Sequence, residues 1–227
     1  MKSFNILYVG QLRFVECVQY HISKIKKANS IDAVFVDNLI KQSKYSVNDL
    51  TFKEAIDYFT NTVNPNSVTV VDSLKYSSVY PRYRQLLLTL DHIKEADVVF
   101  LMTPELVFNR WSFLNFKFIS QFVPQDTPKI FAWSTGKNTI HNHFLYLNRK
   151  AIQKIKEKRG SISFPFFVHV EECWYHIIRE CGIDIVYTDN ANMSKCLAFK
   201  PNMDFTKIRD FKYLTKQRKL WNKQLIK

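Results

Sequence analysis

Apolar residues fall along this chain in short runs separated by stretches in which they recur every three or four positions. The first kind of run reads as strand and the second as helix. Strand patterns occupy residues 4–9, 33–36, 67–71, 98–102, 129–133, 143–147 and 183–187. Between them, residues 14–25 carry Val15, Val18, Ile22 and Ile25 at helical spacing. Thr51-Phe-Lys-Glu54 has the spacing of a capping box and starts a helix through Phe59. Further helices are expected at 83–93, 111–122, 149–158 and 171–181, the last closed by Gly182. Strand and helix alternate, which predicts an α/β fold with a largely parallel sheet.

One run stands out. In Asp97-Val-Val-Phe-Leu-Met-Thr-Pro-Glu-Leu-Val-Phe108 the continuous apolar stretch suits a strand covered on both faces. Pro104 cannot donate to a sheet ladder, so the backbone should leave the sheet near Thr103. That places Glu105 at a strand's carboxyl end, where open α/β sheets bind ligands. Otherwise Glu105 is a solvated loop carboxylate.

With 227 residues, 46% of them hydrophobic, the chain can bury a full core as one domain over 1–200, with 201–227 as a basic, aromatic tail or helix. Its only glycines are Gly10, Gly136, Gly160 and Gly182, so there is no P-loop and no Gly-x-Gly-x-x-Gly turn. A Walker-type NTPase is excluded. No Gly-x-Ser-x-Gly nucleophile elbow occurs either. Cys17, Cys173, Cys181 and Cys196 are too widely spaced for a zinc or redox pair and read as reduced packing residues. His141-Asn-His143 lacks further ligands at regular spacing for a metal site. No apolar run approaches the roughly 18–20 residues of a membrane span. The opening residues lack a secretory pattern, and a cytoplasmic location is expected.

The formal charge of +13 favours anionic partners. Residues 201–227 hold eight basic side chains against Asp204 and Asp210, interleaved with Phe205, Phe211, Tyr213 and Trp221. This mixture suits either a basic helix on an anionic membrane surface, which would make the protein peripheral to the inner membrane face, or a helix whose aromatics pack on the domain. Nucleic-acid binding ranks below both, because no recognisable module accompanies the charge.

Several blocks, in order, carry a resemblance. Ile6-Leu-Tyr-Val-Gly-Gln-Leu-Arg13, Tyr83-Arg-Gln-Leu-Leu-Leu-Thr-Leu90 with Lys94-Glu-Ala96, Thr103-Pro-Glu-Leu106, Asn142-His-Phe-Leu-Tyr146 and the acidic segment from Glu171 to Asp184 resemble a group of glycosyltransferase-like proteins of surface polysaccharide synthesis, among them the WavE lipopolysaccharide-synthesis family. The resemblance covers roughly residues 4–190. It implies a single GT-A-like domain with a largely parallel sheet flanked by helices, using a nucleotide-sugar donor and a surface-glycan or lipid-linked acceptor. The chain departs from the family pattern at three positions: Thr103 stands for an arginine, Glu105 for an aspartate and Asn142 for another aspartate.

Sugar transfer requires a neutralised diphosphate, a held sugar and, for inversion, a base for the acceptor hydroxyl. Gln11 and Arg13 follow the first strand and could hold base, ribose or phosphate, although Arg13 also fits as a surface charge. Arg84 and Gln85 could bind the diphosphate or form a capping or salt-bridged pair. Thr103 and Asn142 complete the implied donor site. Glu105 could ligate Mn²⁺ or Mg²⁺, a cofactor conditional on further ligands, or bind sugar hydroxyls. Glu171 is the first choice of general base, although a carboxylate at a helix start is favoured by the dipole in any case. Trp111, Trp133, Trp174 and Tyr175 are either sugar-stacking faces or core. The alternative function is a non-catalytic carbohydrate- or protein-binding descendant, a reading that the substituted Thr103 and Asn142 favour.

Overall fold

The computed structural model describes residues 2–12, 15–20, 22–37, 50–72, 89–104, 120–121, 123–133, 138–140, 144–163 and 170–188. Seven strands form one sheet: β1 (Phe4–Gly10), β2 (Ser30–Asp37), β3 (Ser67–Asp72), β4 (Val98–Met102), β5 (Lys129–Trp133), β6 (Phe144–Asn148) and β7 (Asp184–Thr188). Their order is β3-β2-β1-β4-β6-β5-β7. Six strands run one way and β6 runs against its neighbours β4 and β5. The fold is therefore α/β, with a mostly parallel sheet between helices.

Both faces of the sheet are covered, which is why β4 reads as an unbroken apolar run and β1 as one interrupted only by buried Asn5. Phe4, Ile6 and Tyr8 face a core closed by a 3-10 helix (Val15–Tyr20), the one-turn α1 (Ile22–Ile25) and α2 (Phe52–Val63). Leu7 and Val9 face the opposite core, closed by α3 (Arg149–Lys158) and α4 (Val170–Glu180). On the first face Phe59 stands edge-on to Tyr8 and Phe35, with centroids 5.1 and 4.9 Å apart. On the second, Trp174 is buried between sheet and helix. It is a core residue, which corrects its candidacy as a sugar-stacking face.

The helix signals hold at their ends. Thr51 accepts from the Glu54 amide while the Glu54 carboxylate accepts from the Thr51 amide, a complete capping box. After α4, Gly182 takes φ 61° and the amides of Gly182 and Ile183 bond to the carbonyls of Arg179 and Ile178, the Schellman arrangement. The single helix expected over 14–25 is instead a 3-10 helix followed by α1. Val15 and Val18 are three apart, a spacing that serves the 3-10 turn as well as the α-turn. Of the helices expected at 83–93 and 111–122, only residues 89–93 and 120–121 are described; 89–92 and 120–121 are helical, and Ile93 already lies outside the helix.

Polar side chains tie the amino-terminal end of the sheet together. Buried Asp32 on β2 accepts from the hydroxyls of Ser30 and Ser67, each at 2.5 Å, and from the Lys94 ammonium at 3.1 Å. Asp97, just before β4, accepts from the Ser3 amide and hydroxyl and pairs with Arg149 at 2.9 Å. Buried Asn148 makes four bonds: its amide donates to the carbonyls of Pro124 and Thr127, and its oxygen accepts from the amides of Lys129 and Ala151. Cys17, Cys173 and Cys181 are buried free thiols, as expected of packing cysteines.

Candidate functional site

The strand order gives the site its place. From β1 the chain moves to β2 and β3 on one side, then returns to add β4 on the other. Neighbouring strands whose following segments depart in opposite directions leave a crevice outside their carboxyl ends. Here that switch point lies between β1 and β4.

Gly10 ends β1 at φ 122°, a backbone state that a side chain strains, so the turn is built for glycine. Gln11 follows directly and is exposed, with a primary amide that can donate and accept. Beside β1, Met102 is the Cα partner of Tyr8, and Thr103 and Pro104 follow it out of the sheet, both buried. The proline break thus ends β4 where the sequence indicates.

Other strands end on the same side of the sheet. Asp37 and Asp72, the last residues of β2 and β3, are Cα partners. Because β6 is antiparallel, its first residue, Phe144, sits beside Met102. Trp133 and Thr188 close β5 and β7 as partners at the same end. The two strand-ending aspartates were missed in the sequence, although an apolar strand run closing on Asp occurs twice and is a readable signal.

Of the sequence candidates, the structure brings Gln11 and Thr103 to neighbouring strand ends. Glu171 lies in the first turn of α4, and its side chain is outside the described set. Arg13, Arg84, Gln85, Glu105 and Asn142 lie outside the described residues, as do Trp111 and 201–227. Thr103 is buried, so it occupies the inner wall of the strand end rather than presenting a side chain to solvent in the way a phosphate-binding arginine would.

Tyr8 is the ionisable group nearest the end of β1 within that strand. Burial pushes its phenol well above the ordinary tyrosine range, so it stays neutral and serves the core. Tyr187, one residue from the end of β7, is exposed instead. Residual burial, with Tyr175 alongside, raises its phenol too, against the opposing charge of Arg179. It is an aromatic face at the carboxyl end of the sheet that the sequence analysis did not single out. Among the described residues no group of three or more His, Cys, Asp or Glu side chains is placed to hold a metal ion. The described residues thus do not by themselves fit a divalent cation.

No protein-family model and no curated protein matches the chain. Among solved structures it is similar to the mannosyltransferase PcManGT from Pyrobaculum calidifontis in complex with GDP-Man and Mn²⁺, at 11% identity and TM-score 0.48, over 83% of this chain and 55% of that one. It is also similar to the inositol-1-phosphate CTP transferase from T. maritima, at 12% identity and TM-score 0.44, over 83% and 85% of the two chains. Mouse xyloside xylosyltransferase 1 gives 10% identity and TM-score 0.41, over 84% and 86%. The chain spans just over half the length of the mannosyltransferase.

Proposed function

We propose that this protein is a nucleotide-sugar-dependent glycosyltransferase of GT-A-like architecture, with its donor bound in the crevice at the carboxyl ends of β1 and β4. The observation that supports it most is the reversal of strand order at β1, which opens a ligand crevice beside the exposed amide of Gln11. The sequence blocks resembling surface-polysaccharide transferases supply the donor class and, more finely, the WavE-like attribution. On this reading Gln11, Arg13 and Thr103 line the donor side, Arg84 and Gln85 neutralise the diphosphate, and Asn142 faces the sugar. Glu105 binds sugar hydroxyls, or a Mn²⁺ or Mg²⁺ ion if further ligands join it. Glu171 serves as the base that takes the acceptor hydroxyl's proton, and the acceptor is a surface glycan or lipid-linked saccharide. The tail over 201–227 holds the protein at the cytoplasmic face of an anionic membrane.

A second reading, a non-catalytic glycan-binding module, is favoured by buried Thr103 standing where the resemblance has an arginine. A thermal-shift series with UDP-, GDP-, CMP- and dTDP-sugars, with and without Mn²⁺, separates the two. Stabilisation that rises with one donor's concentration supports the transferase, since a ligand that binds only the folded state adds RT ln(1 + [L]/Kd). Failure of every donor, with binding of a free oligosaccharide, supports the module. Within the transferase reading, Glu105→Gln should abolish turnover at saturating donor and Arg84→Ala should weaken donor binding without unfolding the chain.

A further inference from the structure

The charge of this protein is concentrated. Residues 149–159, α3 and the residue after it, carry Arg149, Lys150, Lys154, Lys156, Lys158 and Arg159 against Glu157 alone. With the tail over 201–227, they hold most of the formal +13. Yet α3 belongs to the folded domain: Ala151, Ile152 and Ile155 are buried on the sheet, so the outer side carries Lys150, Gln153 and Glu157, flanked by the half-buried Lys154 and Lys156.

Among the described residues, only the two arginines of this helix pair with a carboxylate. Arg149 pairs with Asp97 and Arg159 with Asp91. Three lysines rest on peptide carbonyls, which bring no full charge: Lys150 donates to that of Asp126, and Lys154 and Lys158 donate to those of Gly182 and Glu180, each at 3.2 Å, at the carboxyl end of α4 where the dipole supplies a partial negative charge. No carboxylate lies within ion-pair distance of Lys150, Lys154, Lys156 or Lys158 among the described residues. The carbonyl contacts hold the ammonium groups in place while leaving their charge uncompensated, so the surface is organised before anything binds. Carboxylates do stand nearby, at Glu157 and Glu180, so the attraction is moderate and spread over the helix.

We infer that the outer face of α3 is a docking surface for an anionic lipid bilayer, independent of the tail and of the transfer chemistry. A lipid surface fits better than nucleic acid for two reasons. The uncompensated cations are lysines, point charges suited to a diffuse layer of headgroups rather than forked donors for individual phosphates. No aromatic residue stands on α3 to stack an unpaired base. The helix lacks apolar side chains on its outer face, so it lies on the headgroups and does not insert.

The placement also fixes an orientation. Asn148, immediately before α3, is the Cα partner of Val98, the first residue of β4. Gly182 and Glu180, held by Lys154 and Lys158, precede Asp184, the first residue of β7. The basic helix therefore runs along the amino-terminal end of the sheet. A bilayer bound there leaves the crevice at the opposite end open to a water-soluble ligand.

The test uses the full chain and vesicles of phosphatidylcholine alone or mixed with phosphatidylglycerol. Binding should require the anionic lipid and weaken as salt rises. Replacing Lys150, Lys154, Lys156 and Lys158 together by Gln should weaken it about tenfold or more, because each lysine near such a surface contributes separately. The same four replacements should leave nucleotide-sugar thermal shifts unchanged, so failure here is distinguishable from failure of the transferase reading. If the fourfold variant does not fold, the pair Lys150→Gln with Lys156→Gln should still reduce vesicle binding measurably. Undiminished binding by the folded variant, equal binding to neutral vesicles, or no vesicle binding by the parent would each overturn the proposal. A loss of poly-U RNA binding with vesicle binding intact would overturn it in favour of a nucleic-acid surface.

Discussion

The two ends of this sheet are built differently. At the amino-terminal end, Asp32, Asp97 and Asn148 each gather several hydrogen bonds and join elements far apart in sequence, so these polar side chains are satisfied within the protein. At the carboxyl-terminal end, β1 leaves through a glycine in a strained backbone region and presents an exposed amide at Gln11. Buried polar groups are tolerable only when satisfied, so the first end is where the fold is held. Polar groups that solvent still satisfies can exchange water for a ligand, so the second end is where binding is possible. Substitutions at the two ends should therefore separate stability from binding.

The largest effect should come from Asn148→Ala. It removes the partner of two carbonyls and two amides, most of them part-buried, and the cap of α3, and chemical denaturation should show a loss of about 2–4 kcal/mol. Nucleotide-sugar binding by the remaining folded protein should be unaltered. A loss under about 1 kcal/mol would mean that water replaces the side chain and that this end is less closed than the bonds indicate.

Asp32→Asn should cost about 2 kcal/mol, since the amide keeps the shape but offers one acceptor oxygen where the carboxylate offers two. The pH dependence is the sharper measurement. Burial by itself raises the Asp32 pKa, but the hydroxyls of Ser30 and Ser67 and the bond and charge of Lys94 outweigh it and hold the group below the usual carboxylate value. Asp97 behaves alike: its burial is overcome by Ser3, Arg149 and Lys2. A pKa depressed in the folded state contributes stability above the unfolded value, and that stability is lost as pH falls through the folded value. The parent should therefore lose stability steeply on acidification below about pH 4, and Asp32→Asn should flatten the slope. An unchanged slope would remove Asp32 from the acid response.

Gly10→Ala tests the opposite end through the backbone. At φ 122° a Cβ is strained, and the cost should be about 1–2 kcal/mol. If the turn positions the crevice, donor-induced thermal shifts should fall by more than this loss of stability explains. Equal shifts in parent and variant would make Gly10 a structural turn alone.

Much of the fold was legible because both faces of the sheet are buried. β4 appears as an uninterrupted apolar run and β1 as one broken only at Asn5, and Thr51, Glu54 and Gly182 mark helix ends with side-chain and backbone chemistry that few other roles require. What was not legible has physical reasons. Hydrophobic pattern carries no strand direction, so nothing in Phe144 to Asn148 announced that β6 runs antiparallel. Valines three apart cannot distinguish a 3-10 turn from an α-turn, hence the divided segment after β1. Trp174 is by its residue type a sugar-stacking candidate, with the core the commoner outcome for an aromatic, and burial decides for the core. The site was legible only in part. The strand stop at Pro104 and the exposed Gln11 followed from local chemistry, whereas the pairing of Asp37 with Asp72 depends on a register between strands 35 positions apart in sequence.

The smallest stability effect and the most selective test belong to Gln11→Ala. The side chain is exposed and sits outside β1, so truncation should change stability by less than about 0.5 kcal/mol. Its amide is nevertheless, among the described residues, the one sequence-predicted polar group that the structure sets in the open at the switch point. If the crevice binds the donor, loss of that amide should weaken binding by about tenfold, the value of one good hydrogen bond to a partner that water does not reach. Calorimetric titration of parent and variant with the donor found by thermal shift measures this directly. Gln11→Glu sharpens the result, because a carboxylate keeps the acceptors, loses the donors and repels a diphosphate. A variant series in which Ala is neutral and Glu weakens binding would place Gln11 near the phosphates without contact. Equal affinity in all three would move the donor away from the end of β1 and leave the reversal of strand order without a ligand to explain.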